Sequence, residues 1–279
     1  MHEAHGTLPL DLVLAEAIHL ADHGFPASPL LAVMATELVD VAGVDQGVAA
    51  ARSGRSVRRP RTADALRAVA AAGRAGFYQG EFGTGLLELG GGLYDVDDLA
   101  RPQARWVDPV GADVFGHRVW TVPPPSQGYL ALAGAAVAER LGSLSDPERL
   151  VAAAVAAGRD RPDVLHDGAD PRDLLHPDRL DAQAAAARAR SGGPSAPAAD
   201  GDTTYLCTAD ETGTAVSLIQ SNASGFGAHL VEPRTGTFLH DRGIGFSLEA
   251  GHPAELAPGR RPPHTLAPLA GQCEVALRR

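Results

Sequence analysis

Asp200-Gly201-Asp202-Thr203-Thr204-Tyr205-Leu206-Cys207-Thr208-Ala209-Asp210 carries the chain out of a linker and into a strand. Just upstream, Ser191-Gly192-Gly193-Pro194-Ser195-Ala196-Pro197-Ala198-Ala199 is small, polar and without apolar periodicity, the composition of a flexible connection. Downstream, Tyr205 to Asp210 and Thr214 to Ile219 flank the turn-like Glu211-Thr212-Gly213 and predict two paired strands. Thr203 therefore opens a strand directly behind a stretch in which a chain can be cut.

A threonine in that position has a specific chemical use. Its hydroxyl is a weak nucleophile without a nearby base, and a freed α-amino group, with a reference pKa of about 7.7 to 8.0, abstracts a proton near neutral pH. Scission between Asp202 and Thr203 gives one residue both nucleophile and base. Before scission the same hydroxyl can attack the Asp202 carbonyl, shift the acyl group from nitrogen to oxygen, and leave an ester that water hydrolyses. The local pattern also fits a linker that enters an ordinary strand through Thr203 and Thr204, because threonine is common in strands.

Other runs bear on that choice. Thr203-Thr204-Tyr205, Asp210, Gly213, Ala215-Val216, Ser221-Asn222, Gly225-Phe226-Gly227, Gly236, Phe246-Ser247 and Pro258 to Pro268 follow in order. Together they resemble the start of the small subunit of the γ-glutamyltransferase family. Upstream, His5 to Pro9, Gly24-Phe25-Pro26, Ala75 to Gly80, Trp106-Val107 and Pro123-Pro124-Pro125-Ser126-Gln127-Gly128 are similar to large-subunit runs. Two departures are Tyr205, where the family usually has His, and Cys207, where it usually has Ser.

The resemblance implies an α/β fold, an incomplete αββα sandwich of the N-terminal-nucleophile type. Residues 1–202 correspond to a mainly helical large-subunit-like part ending in the linker 191–202. Residues 203–279 correspond to a strand-rich small-subunit-like part. Thr203 becomes the nucleophile of an autoprocessing amide hydrolase or acyltransferase, Asp202-Thr203 the cleavage site, and the two halves stay associated. No metal or organic cofactor is implied, and the substrate is a small amide or γ-glutamyl-like compound.

The same resemblance assigns supporting roles. Ser221 matches a second hydroxyl that hydrogen-bonds the nucleophile, and Asn222 is a weaker substrate contact because the family's asparagine falls on Ala223. Glutathione-using members hold the substrate ammonium with a carboxylate at the position of Gly245; without it a free amino group would enter unpaired. Arg242 offers instead a planar fork suited to a substrate carboxylate. His264-Thr265 stands where those members carry two serines, so Thr265 keeps one hydroxyl and His264 adds an imidazole. This pattern resembles the amidohydrolase and acylase branch more than the glutathione enzymes.

The resemblance also sets up a rival expectation. Family members extend beyond the points matching Met1 and Arg279, with a carboxylate-gripping Arg at one end and a Gly-Gly oxyanion hole at the other. Losing even one oxyanion donor typically costs about 10² to 10³ in rate. A chain without those parts would be a non-catalytic remnant of the family.

Composition narrows the field further. The 279 residues can bury a sizeable core. With 34 acidic and 24 basic residues the formal charge is -10, which disfavours nucleic acid or an anionic membrane as partner. All the basic side chains except histidine are Arg, which removes lysine Schiff-base chemistry. Cys207 and Cys273 make no disulfide framework and no zinc-ligand spacing, and Cys207 is expected to be buried on its strand. No apolar run has transmembrane length, and Met1 to His5 lacks a secretion signal's basic start and apolar centre, so the chain as written is expected in the cytoplasm.

The first 190 residues read as mainly helical. A first helix ends at Gly24, Ser28 caps another at Pro29, Thr62 caps Ala63 to Ala72, and Asp95 caps a short turn through Leu99. His117 to Val122 reads as a strand. Gly128 to Leu141, Asp146 to Ala157 and Pro177 to Arg190 read as helices.

Overall fold

The computed structural model describes residues 1–142, 147–189 and 203–273. The linker and Asp202 lie outside them, as does the expected helix start at Asp146. Two compact units emerge, one of Met1–Arg105 with Gly225–His240, the other of Trp106–Ser224 with Asp241–Arg279. Each takes residues from both sides of position 202, so the expected boundary at 202/203 does not coincide with the division between these units.

Helices alternate with short antiparallel strands: β1 (Phe25–Pro26), β2 (Ser56–Val57), β3 (Val110–Val114), β4 (His117–Thr121), β5 (Thr204–Ala209), β6 (Ala215–Gln220), β7 (Val231–Glu232), β8 (Thr237–Phe238) and β9 (Leu269–Cys273). They pair as β1-β2, β3-β4-β9, β5-β6 and β7-β8. This is an α/β structure built from small sheets. Among the described residues, no helix is long and apolar enough to cross a membrane.

In the first unit the helices Leu10–His23 and Pro60–Tyr78 pack on each other. The first helix stops at Gly24, which takes φ +95, a conformation that glycine adopts without a side-chain penalty. Ser28 caps Pro29–Met34 by accepting from the Leu31 amide at 3.1 Å. Asp95 and Asp98 form a reciprocal capping box on Val96–Ala100. Thr62 does not act as the expected cap. The helix begins two residues earlier, at Pro60, whose missing N–H is no loss in a first turn, and the Thr62 hydroxyl donates to the Thr235 carbonyl at 3.1 Å. Gly73, at φ 56 and ψ -137, breaks that helix near the expected end.

Two apolar clusters hold this unit, one around Ala35, Leu38, Val48, Ala51 and Val57, the other around Phe82, Leu86 and Leu99. Glu232 is fully buried, yet its carboxylate accepts from the Arg234 amide at 2.7 Å, the Thr235 amide at 2.8 Å, and the Thr235 hydroxyl. A Cβ on Gly85 would lie 1.7 Å from Glu232 Oε1, so only glycine permits that approach.

In the second unit, the helices Tyr129–Leu141, Pro147–Gly158 and Pro177–Ala189 pack together through small residues. Ala133, Val137, Ala153, Ala157, Leu180 and Ala184 are among the buried residues of this cluster. The β5-β6 hairpin is largely exposed, with only Ser217 and Ile219 half-buried: Tyr205, Leu206 and Leu218 are 49%, 44% and 50% exposed. Cys207 is exposed as well, correcting the expectation that it is buried. Strand alternation says which side chains share a face; it does not say what covers that face.

Candidate active site

The hairpin turn sets the register of the strand that Thr203 precedes. Asp210 Oδ1 accepts from the amides of Thr212 and Thr214, both at 2.9 Å, and from the Thr212 hydroxyl at 2.7 Å. The Thr212 hydroxyl, first among these bonds, holds the Asp210 carboxyl below its ordinary pKa. Gly213 supplies the φ of +90 that closes the turn. The resulting register pairs Thr204 with Gln220 and Ala209 with Ala215. Continued by one residue, it sets Thr203 opposite Ser221. Thr203 itself is exposed.

Ser221 is half-buried, and its oxygen accepts from the Ala223 amide at 3.0 Å, which leaves the hydroxyl hydrogen available to another acceptor. Asn222 is tied on two sides. Its carbonyl accepts from the Asp241 amide at 3.0 Å, and its side-chain oxygen accepts from Gln220 Nε2 at 3.3 Å. Asp241 Oδ1 in turn accepts from the Ser224 amide at 3.0 Å. The residue after Asp241 is Arg242, so these bonds bring the Ser221 turn and the Arg242 loop together. Ala223 bends between them at φ +86, a conformation that favours Gly or Asn over Ala.

Arg242 Nη1 donates to the Thr265 hydroxyl at 3.4 Å, joining two of the expected substrate-binding residues. His264 beside them is braced by the Pro123 to Gly128 run. Its amide donates to the Pro125 carbonyl at 3.0 Å, and its carbonyl accepts from the Gln127 amide at 3.1 Å. The buried Ser126 hydroxyl donates to Leu266 O at 2.5 Å, and Gln127 Nε2 donates to Thr265 O at 3.2 Å. Burial, followed by Arg242, Arg161 and Arg261, pushes the His264 imidazole down to about 4. It is neutral at pH 7, and its Nδ1 is buried without a hydrogen-bond partner among the described residues.

Gly245 cannot simply be exchanged for an acid on this backbone, because its Cβ would lie 2.1 Å from the Pro263 carbonyl oxygen. Among the described residues there is no group of three or more His, Cys, Asp or Glu placed to hold a metal ion. Thr203 and Ser221 thus lie one residue beyond the Thr204–Gln220 pair, and hydrogen bonds link the Ser221 turn, Asp241-Arg242 and Thr265. Sequence reasoning missed Asp241, Ser126, Gln127 and Arg161. The first sits beside Arg242 and the next two inside a quoted run, whereas nothing in the sequence marks Arg161.

A family model described as Gamma-glutamyltranspeptidase matches residues 1–270. The oxamate amidohydrolase proenzyme of Klebsiella pneumoniae is 31% identical over 95% of this chain and 54% of its own length. The glutathione hydrolase-like YwrD proenzyme of Bacillus subtilis is 31% identical over the same shares, 95% and 54%. The crystal structure of cephalosporin acylase from Bacillus halodurans aligns with a TM-score of 0.81 at 29% identity, over 97% of this chain and 54% of that one. The chain therefore spans about half the length of the relatives it matches.

Proposed function

Since the chain belongs to the gamma-glutamyltranspeptidase family, we propose that it acts as an autoprocessing amide hydrolase or acyltransferase whose nucleophile is Thr203. The observation that supports this reading is the β5-β6 register, which pairs Thr204 with Gln220 and, extended by one residue, brings Thr203 level with Ser221. In this reading the small sheets belong to an αββα sandwich of the N-terminal-nucleophile type.

Scission of the Asp202-Thr203 bond frees the Thr203 amino group. That amine takes the proton from the Thr203 hydroxyl as the oxygen attacks the substrate amide carbon. The C–N bond breaks, the leaving nitrogen receives the proton, and water hydrolyses the acyl ester, or an acceptor amine takes the acyl group. The Ser221 hydroxyl donates toward the Thr203 oxygen and orients it. Arg242 and the Thr265 hydroxyl hold a substrate carboxylate, and neutral His264 adds an N–H donor. Asn222, with its oxygen engaged by Gln220, contributes at most its amide hydrogens.

With glycine at 245, nothing at that position pairs with a substrate ammonium. The favoured substrates are small amides bearing a carboxylate, with oxamate as the first to try, and γ-glutamyl amides come second. Intact-mass analysis of the purified chain tests the reading. Wild type is expected to separate at 202/203, Thr203→Ala to remain whole, and the cut chain to release ammonia from oxamate. A wild-type chain that stays uncut and releases no ammonia sinks the proposal and favours the non-catalytic remnant.

A further inference from the structure

A cavity of about 270 Å³ in the second unit borders the residues described above, with Gly245 and Pro263 in its lining. Arg161, Ser247 and His252 supply its polar side chains, and Leu165, Ile244 and Phe246 are among its apolar ones. No carboxylate lines it.

Arg161 is half-buried, its Nε is buried without a hydrogen-bond partner, and no hydrogen bond or ion pair holds its guanidinium among the described residues. Neighbouring Asp160 is already bonded to Arg179 at 2.6 Å. Burial lowers the Arg161 pKa from its ordinary value, with the Tyr129 hydroxyl opposing that shift. A guanidinium withdrawn from water without an acid is the expensive member of an incomplete pair.

The other two polar groups are donors by their wiring. His252 Nδ1 accepts from the Ala254 amide at 3.0 Å, which places the ring proton on Nε2 when the imidazole is neutral. Ser247 Oγ accepts from the Glu249 amide at 3.1 Å, leaving its hydrogen to give. The loop carrying both is pinned, with Ser247 N donating to Ala254 O at 2.8 Å and Leu256 N to Ser247 O at 3.0 Å. Cation, N–H and O–H therefore line one space whose remaining walls are apolar.

We propose that this cavity is a binding site for a short-chain aliphatic carboxylate. The Arg161 fork takes the two oxygens, His252 Nε2–H and the Ser247 hydroxyl add donors, and the alkyl tail lies against Leu165, Ile244 and Phe246. Neither Arg242 nor Thr265 lines this cavity, and binding there does not require Thr203 to be freed.

Calorimetric titration of the uncut Thr203→Ala chain with butyrate, butyramide and inorganic phosphate provides the test. Butyrate is expected to bind, butyramide at least roughly tenfold more weakly, and Arg161→Met to weaken butyrate by roughly ten- to a hundredfold. Arg161→Lys, which keeps charge without the fork, should fall between. Tighter binding of phosphate than butyrate, equal binding of butyrate and butyramide, or undiminished binding to Arg161→Met overturns the proposal. Should Arg161→Met fail to fold, the His252 ring signal of the Thr203→Ala chain decides, assigned with His252→Gln. It must move with butyrate and stay still with butyramide, and any other result rejects the site. Failure of Thr203 chemistry would leave these titrations unaffected, so the two readings fail separately.

Discussion

Acidifying the protein should expose the strain on His264. An unfolded chain protonates this imidazole near its ordinary 6.5, whereas the folded chain resists until about 4, because the ring is buried and faces Arg242, Arg161 and Arg261. Between those values the unfolded state binds more protons. The stabilisation is complete above 6.5 and is lost as pH falls toward 4. At about 1.36 kcal/mol per pH unit the full shift corresponds to about 3 kcal/mol, and partial solvent access reduces this to about 1 to 2 kcal/mol. Urea unfolding of wild type and His264→Gln at matched pH values reads the difference, which cancels the titration of other groups. Wild type should lose about 1 to 2 kcal/mol more than the variant over this window. A carboxylate bound at Arg242 should shield the ring and raise its pKa, narrowing the gap. Parallel pH profiles for the two proteins, or a His264 ring that titrates near 6.5 by NMR, would refute the reasoning.

Three substitutions test the packing around the two units. Gly85→Ala drives a methyl onto buried Glu232 Oε1 and should cost about 3 kcal/mol or more, seen as a large drop in urea midpoint. Ala223→Gly relieves a φ of +86 and should stabilise by about 0.5 to 1 kcal/mol, read in the same assay; a loss would show that the bend carries no strain. Gly245→Asp should fail to create an ammonium site, because its Cβ meets the Pro263 carbonyl. About 1 to 3 kcal/mol of destabilisation, without gain of γ-glutamyl anilide turnover, is the expected outcome.

Features whose cause is local were legible in the sequence. Ser28 before Pro29, Asp95 three residues before Asp98, and glycine at 24 act through bonds or dihedrals within one turn of chain, so residue type and spacing suffice. The β5-β6 hairpin was legible for the same reason, since Asp210 and Gly213 close its turn and set the register. Thr62 was misread because its partner is the Thr235 carbonyl, far along the chain. Cys207 was misread because burial depends on whatever packs over a strand. Arg161 was invisible, because an arginine on a four-residue helix acquires meaning only when a remote loop closes around it.

Overall and local charge have opposite signs at this site. The chain carries -10 overall, yet Arg161, Arg242 and Arg261 all press on His264. Asp241 accepts from Ser224 N at 3.0 Å and Asp167 from Arg261 N at 3.2 Å, so acids and guanidiniums share this region. An approaching carboxylate is therefore repelled at long range and attracted only at contact. Salt screens exposed charges beyond about 8 to 10 Å while leaving half-buried pairs largely intact. Moderate salt should accordingly speed association of a carboxylate ligand, opposite to the slowing seen when global and local fields agree. Stopped-flow binding at 20 and 150 mM salt distinguishes the two cases, and slower association at the higher concentration would mean that the cationic cluster does not govern capture.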